Sequence, residues 1–287
     1  MNRFLIGDIL VEMDYAGVPV ISEGNLQRFR HEGSWGGDRV KLLCSSAPLS
    51  QYEPGLLKRD NHVYGIYAHE GQKLLMYHWG NLFHGFAVWP ERFAITFDPK
   101  MYHQPPLRED WFFSVCAFHH QLLIRDACVL HSSYVDIGGE AVLFTGPSNI
   151  GKSTQAGLWT EYAGAEVVNG DRTLLRKRKG KWYAFGYPSC GTSGICINRS
   201  MPLRAIVVLS QSNENSVQRL SPGEQIRALV SATELYPWSG EEIEMAMKIA
   251  VNIAQSVPVL KLSCRPDRGA VEVLKDHLKG VPSHGPV

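Results

Sequence analysis

Residues 146–153 read Gly-Pro-Ser-Asn-Ile-Gly-Lys-Ser and match the phosphate-binding (Walker A) pattern G-x-x-x-x-G-K-S. The apolar run Ala141–Thr145 precedes the motif and Lys152–Trp159 reads as a helix start, which is the context that such a loop requires. Backbone N–H groups and the positive end of the following helix would hold anionic phosphates. The residues expected to bind ATP are Gly146, Pro147, Ser148, Asn149, Ile150, Gly151, Lys152, Ser153 and Thr154.

Two residues of this motif have chemical roles of their own. Lys152 is expected to be an exposed cation that reaches the β- and γ-phosphates, and the Ser153 hydroxyl would complete the coordination of a bridging Mg²⁺ ion. The alternative interpretation is a glycine turn that binds no ligand.

A carboxylate follows the helix that this motif opens. The segment Gly164–Asp171 predicts a short buried strand that ends in Asp171. Nucleotide-binding folds place their metal-side acid at such a strand end. Asp171 is therefore the candidate to contact Mg²⁺ and to accept the proton of an attacking hydroxyl; alternatively, it is a turn residue that accepts backbone N–H groups.

A histidine is placed beside the motif by a predicted hairpin. Two strand-like runs between Val129 and Thr145 flank Gly138-Gly139, a pair favoured in two-residue turns because both positions need positive φ. Counting outward from this turn brings His131 opposite Gly146. A histidine there can stabilise transferring charge or move a proton, whereas the alternative is a histidine that ends the strand and bonds to backbone.

Two later segments are candidates for substrate contact. A second hairpin has the basic tip Arg176–Lys181, which either docks an acidic substrate or is simply a solvated face. The loop 188–194 is rich in small and hydroxyl residues, as a segment that approaches a phosphate or a substrate backbone would be, although a plain connection fits too. The loop residues chosen as candidates are Ser189, Gly191, Thr192, Ser193 and Gly194.

The elements around these residues predict two domains. Residues 1–104 alternate short apolar and aromatic runs with turn residues, which predicts a β-rich domain, and residues 105–280 mix helices and strands, which predicts an α/β domain followed by a loose tail at 281–287. The predicted strands of the first domain are Phe4–Met13, Val40–Cys44, Val63–Ala68, Lys73–Trp79, Phe86–Trp89 and Phe93–Phe97. The second domain is predicted to contain helices over Glu109–Leu123, Pro222–Leu235, Glu241–Gln255 and Asp267–Leu278 and a strand over Val257–Leu262.

Composition excludes several classes of protein. The 287 residues carry a formal net charge of +1, which gives no electrostatic case for nucleic acid or a membrane surface as partner. No spanning segment or secretion signal is expected. The six cysteines lack C-x-x-C spacing, which favours reduced, mostly buried thiols in a cytoplasmic protein. The histidines of the first domain, His62, His69, His78 and His84, follow no metal-ligand spacing.

Four segments together resemble the catalytic domain of the HPr kinase/phosphorylase family. They are Val129–His131, Val135–Gly138, Ala141–Gly146 and Ile150–Ser153, and the resemblance extends over about residues 128–210. The family comprises bacterial serine kinases with a phosphate loop and a fold related to phosphoenolpyruvate carboxykinase. The resemblance implies a P-loop, HPr-kinase-like α/β domain preceded by the unmatched β-rich domain.

This resemblance also implies roles for individual residues. His131 would lie near the transferring phosphate, Lys152 and Ser153 would bind ATP and magnesium, and Asp171 matches the second of the family's two adjacent acids. The chain departs from the family at Gly170, which replaces the first acid, and before Gly191, where a metal-binding glutamate is missing. It looks more like divergent relatives associated with peptide modification than like kinases of HPr itself.

The sequence thus predicts a cytoplasmic, ATP- and Mg²⁺-dependent kinase. Its acceptor is expected to be a serine or threonine hydroxyl of a small protein or peptide, with Asp171 as base, His131 as charge stabiliser and Lys152 on the phosphates. The alternatives are a kinase for a small metabolite and a nucleotide-sensing module without catalysis. A homo-oligomer is left open.

Overall fold

The structure, a computed structural model, describes residues 1–15, 20–51, 57–60, 64–77, 85–101, 107–235 and 240–280. The protein is a mixed α/β protein that divides into two compact units, Met1–Gln121 and Leu122–Val287. The predicted domain boundary at 104–105, the predicted tail at 281–287 and three of the predicted surface histidines (His62, His78 and His84) lie outside the described residues.

The first unit is built on an eight-stranded sheet. Its strands in chain order are β1 (Asn2–Ile6), β2 (Ile9–Asp14), β3 (Val20–Ile21), β4 (Asp38–Ser46), β5 (Leu57–Asp60), β6 (Tyr64–His69), β7 (Gln72–Tyr77), β8 (Phe86–Trp89), β9 (Ala94–Phe97) and β10 (Leu107–Arg108). The sheet order is β1-β2-β4-β9-β8-β7-β6-β5, and β3 pairs with β10 separately. Two short helices follow these strands: α1 (Glu109–Val115) and α2 (Phe118–Leu123), whose last two residues belong to the second unit. The described strands confirm that this part of the chain is rich in β structure.

Two predictions for this unit were wrong in the same way, because a continuous element is broken by residues with positive φ. The run Phe4–Met13 is not one strand but the hairpin β1–β2, which turns at Gly7 and Asp8, both with φ of 60°. The predicted helix Glu109–Leu123 is two helices, because Ala117 has a φ of 57°. A helix cannot continue through a residue in the left-handed region.

The second unit alternates strands and helices. Its strands are β11 (Cys128–Asp136), β12 (Ala141–Thr145), β13 (Glu166–Asn169), β14 (Arg172–Arg178), β15 (Lys181–Phe185), β16 (Ser200–Gln211), β17 (Ser216–Arg219) and β18 (Val259–Cys264). Its helices are α3 (Lys152–Ala163), α4 (Pro222–Ala232), α5 (Gly240–Ser256) and α6 (Arg268–Lys279). The strand order is β12-β11-β14-β15-β16-β18-β17, and β16 also pairs with β12. The pairings from β12 through β16 therefore close into a ring, and β13 pairs with β11 beside it.

Helices cover both faces of this sheet because the strands are apolar on both. Ala141 and Leu143 of β12 contribute to a cluster with α4 and α5, whereas Val142 and Phe144 contribute to a cluster with α3 and α6. This alternation is the period of two expected along a strand. It explains why β12 is apolar at successive positions, as strands buried on both faces are.

Both predicted hairpins of this unit form, and the first has the predicted register. At Gly138 and Gly139, with φ of 61° and 93°, the Ile137 amide donates to the Glu140 carbonyl at 2.8 Å. The outermost pair of the β11–β12 ladder is Ser132 with Thr145. The next residues outward from the turn are His131 on β11 and Gly146 after β12. The β14–β15 hairpin turns at Lys179-Gly180, also with positive φ at both positions.

Two further expectations can be compared with the structure. No helix among the described residues is long and apolar enough to cross a membrane. Five of the six cysteines are buried, as expected of small core residues, and Cys44 is half-buried.

Candidate functional site

The segment 146–151, here called the glycine loop, joins the end of β12 to the start of α3. Three of its residues have positive φ: Gly146 (143°), Asn149 (63°) and Gly151 (111°). A side chain on Gly146 would press against Ile150 and the Leu209 carbonyl, since a Cβ built there lies 3.2 and 3.4 Å from them. The loop therefore packs tightly on β16, while Pro147, Ser148 and Asn149 at its tip are exposed.

Lys152, the first residue of α3, lies inside this loop rather than projecting from it. Its Nζ donates to the carbonyls of Gly146 at 3.2 Å and Pro147 at 3.1 Å, and the residue is 8% exposed. The expectation of an exposed lysine was wrong, because the loop curls around the side chain. Burial lowers the pKa of Lys152, and the negative charge of Asp171 partly opposes that shift. Ser153 and Thr154, which follow it, are exposed at the start of α3.

His131 and Asp171 form a direct pair. His131 Nε2 lies 3.0 Å from Asp171 Oδ1, and the His131 side chain is 45% exposed against 22% for Asp171. The pair is set by the sheet, because His131 of β11 pairs with Arg172 of β14, and the Thr145 hydroxyl at the end of β12 donates to the His131 carbonyl. The pKa of Asp171 is lowered, first by the hydrogen bond from His131 and then by the charges of Arg172, His131 and Lys152, against the opposing effect of burial.

Arg172 binds the second carboxylate oxygen of Asp171. A role for Arg172 was not predicted from the sequence. Its Nη1 donates to Asp171 Oδ2 at 2.7 Å and to Ser189 Oγ at 3.0 Å, while its Nε donates to Glu234 Oε2 at 3.1 Å. Arg172 thus fixes the orientation of the Asp171 carboxylate and brings the predicted loop residue Ser189 to it. The signal in the sequence is a basic residue directly after the candidate acid.

Asn169 organises the backbone beneath this pair. It is fully buried, and its Oδ1 accepts from the amides of Asp171 and Arg172, each at 2.9 Å. Its Nδ2 donates to the carbonyls of Tyr187 at 2.7 Å and Ser189 at 3.2 Å. One buried amide therefore ties the acid to the loop 188–194.

The loop 188–194 packs closely against Gly170 and Asp171, and glycines at positions 170 and 191 make this possible. Gly191 has a φ of 55°, and a Cβ on it would lie 2.9 Å from Asp171 Cγ. A Cβ on Gly170 would lie 2.0 Å from the Ser193 hydroxyl oxygen. Ser193 therefore occupies the space into which an acid at position 170 would project. The structure brings Ser189, Gly191 and Ser193 to this site through these contacts. Thr192 and Gly194 are their neighbours on the exposed stretch 191–195.

We expect Gly170→Ala to destabilise the protein by about 1–3 kcal/mol, because overpacking forces the neighbouring Ser193 to move. Adding Ser193→Gly should restore most of that loss, since it removes the colliding Cβ and hydroxyl. Urea unfolding of the two single variants and the double variant measures this coupling. A Gly170→Ala protein as stable as wild type would show that the loop does not pack on position 170.

A family model covers most of the second unit. A family model described as "SynChlorMet cassette protein ScmC" matches residues 113–266. The chain belongs to the ScmC family. The residues matched in this ScmC-family chain include the glycine loop, Lys152, His131 and Asp171.

A solved structure gives a more distant likeness. The Hpr(Ser) kinase/phosphatase from Coxiella burnetii is similar to the chain at 13% sequence identity, over 52% of this chain and 95% of that one, with a TM-score of 0.30. No curated protein matches the chain.

Proposed function

We propose that this protein is an ATP- and Mg²⁺-dependent phosphotransferase that moves the γ-phosphoryl group to a serine or threonine hydroxyl of a small protein or peptide. One observation carries the proposal: a buried lysine at the start of a helix is held by the carbonyls of a glycine loop, and the charge of Asp171, which pairs with His131, raises the pKa of that lysine against the effect of burial. A cation that is already desolvated gains more from an entering phosphate than an exposed one does.

The residues present fit a magnesium nucleotide. Ser153 is exposed at the helix start, and Asp171 offers a carboxylate whose charge reaches Lys152. Among the described residues no group of three or more His, Cys, Asp or Glu side chains forms a metal site of its own. Magnesium bound with a nucleotide needs only one or two protein ligands, because phosphate oxygens and water supply the others. When bound, it would neutralise charge on the β- and γ-phosphates.

The chain's own residues would then act in three ways. The loop N–H groups and Lys152 hold the phosphates. They also stabilise the negative charge that develops as the bond between the γ-phosphorus and the bridging oxygen breaks. Asp171 accepts the proton of the acceptor hydroxyl as its oxygen bonds to phosphorus; each carboxylate oxygen can accept two hydrogen bonds, so those from His131 and Arg172 leave capacity for it. Arg172 and Asn169 are positioning residues.

Incubation with radiolabelled ATP, Mg²⁺ and serine-containing peptides tests the proposal. Transfer of label to a peptide, with ADP formed in equal amount, is the expected result. Label on a small hydroxylated metabolite alone would identify a metabolite kinase. ATP binding without transfer to any acceptor would identify a nucleotide-sensing module.

We expect His131→Ala to lower kcat about 10- to 100-fold while changing the Kd for ATP less than that. The side chain is half-exposed, so water can replace it in part, and it contacts Asp171. Single-turnover transfer and ATP titration measure the two effects, with His277→Ala on α6 as the matched control. An unchanged kcat would remove His131 from the mechanism.

A further inference from the structure

A basic cavity of about 320 Å³ lies on the second unit, in the surface formed by β14, β15, α5 and the segment that precedes β11. Among the side chains that line it, four basic groups stand against the one carboxylate of Asp126. The basic residues are Arg125, Arg176, Lys177 and Lys248. Asp126 Oδ1 forms an ion pair with Lys248 Nζ at 3.3 Å, which links the segment before β11 to α5. The cavity therefore carries a net positive charge and fits an anionic group.

The segment before β11 and the helix α5 also carry exposed apolar side chains. Ile124 is 51% exposed and directly precedes Arg125. On α5, Met247 and Val251 are 47% and 36% exposed, and they lie one helical turn apart beside Lys248. Exposed apolar side chains next in sequence to residues that line a charged cavity favour a protein or peptide contact over a small-anion site.

Trp182 forms part of the cavity wall. Its ring is 5% exposed and lies under Lys177, with Nζ 5.5 Å from the ring centroid. The ring therefore holds the Lys177 cation at the wall of the cavity.

The strand β14 connects this cavity to the candidate site. Asp171 directly precedes β14, and Lys177 lies six residues further along the chain. At about 3.3 Å per residue the two backbones are about 20 Å apart. An extended peptide needs about six residues to span that distance.

We propose that this cavity docks an acidic, partly apolar segment of the acceptor peptide, about six or more residues from the hydroxyl that is phosphorylated. The inference rests on the proposed kinase function for the transfer step, but not for binding. The carboxylates would meet the positively charged lining of the cavity, and the apolar side chains would meet Ile124, Met247 and Val251.

Fluorescence anisotropy of a labelled peptide, two Glu-Glu-Leu repeats followed by six Gly or Ser residues, tests the docking step on the full chain. We expect the double variant Lys177→Glu, Lys248→Glu to bind at least about tenfold more weakly than wild type. The matched control is Lys275→Glu, Lys279→Glu on α6, which changes the net charge equally and should bind like wild type. Lys177→Gln, Lys248→Gln repeats the test with a milder change should the reversal fail to fold.

Three outcomes would overturn the docking proposal. They are equal loss in the control, equal binding of a peptide with lysine in place of glutamate, and displacement of the peptide by millimolar inorganic phosphate at constant ionic strength. The last would identify a small-anion site instead.

Transfer assays separate this proposal from the proposed function. With a serine acceptor six residues from the acidic segment, kcat/KM should be about tenfold higher than with a spacing of two, and Lys177→Glu, Lys248→Glu should remove that difference. Lys152→Ala should bind the peptide normally. If wild type binds the peptide but transfers no phosphoryl group, the kinase function is overturned and the docking site is kept. If transfer occurs at the same rate with and without the acidic residues in the peptide, the docking site is overturned and the kinase function is kept.

Discussion

Lys152→Ala should lower phosphoryl transfer about a thousandfold or more while leaving the protein folded. The ammonium is the one cation enclosed by the glycine loop in the described structure, and groups that neutralise charge developing in phosphoryl transfer have effects of this size. The structural cost is small, because the loop tip is exposed and water can hydrogen-bond the freed carbonyls of Gly146 and Pro147. Transfer assays and thermal unfolding measure the two quantities.

Lys275→Ala, which removes an exposed lysine from α6, is the control for this variant. It should transfer at the wild-type rate. Near wild-type transfer by a folded Lys152→Ala protein would contradict the assignment of the glycine loop to phosphate binding.

Local turn chemistry made the position of His131 predictable. Gly138-Gly139 and Lys179-Gly180 each fix a two-residue turn, and a turn of known length sets the register of both strands. The register of β11 and β12 could therefore be counted from sequence alone.

The breaks at Asp8 and Ala117 were missed for different reasons. Gly7-Asp8 is itself a turn signal, but the apolar residues on both sides read as one strand. Ala117 gives no such signal, because alanine favours helix. The residues on either side of it, Cys116 and Phe118, are both buried, so the position at which the helix divides is set by contacts that the sequence does not show.

The candidate site was predictable in its residues and less so in its contacts. Asp171 and Lys152 follow from strand ends and a motif, but the bond from Arg172 to Glu234 joins residues 62 positions apart. The sequence shows glycine at position 170, where the resemblance to HPr kinases would imply an acid. That the Ser193 side chain lies beside Gly170 could not be predicted, because this contact joins two separate loops.

Asp171→Asn should keep ATP binding and lose at least about two orders of magnitude in kcat, which is the contribution of a positioned base. The amide has the same shape, so it can accept from Arg172 through its oxygen while its NH₂ faces His131 Nε2, which accepts in the other tautomer. What is lost is the charge and the ability to take a proton. Full turnover in this variant would make Asp171 a structural turn residue.

The same substitution has a second consequence, for the pH dependence of folding. The pKa of Asp171 is lowered in the folded protein, first by the hydrogen bond from His131, so its ionised form stabilises the fold at pH values above the ordinary aspartate pKa of about 3.9. That contribution disappears as the pH falls through the lowered folded-state pKa, and Asp171→Asn lacks it at every pH. The difference in unfolding free energy between wild type and Asp171→Asn, from urea titrations, should therefore be larger at about pH 5 than at about pH 3. A difference that grows on acidification would show that His131 and Arg172 do not stabilise the carboxylate.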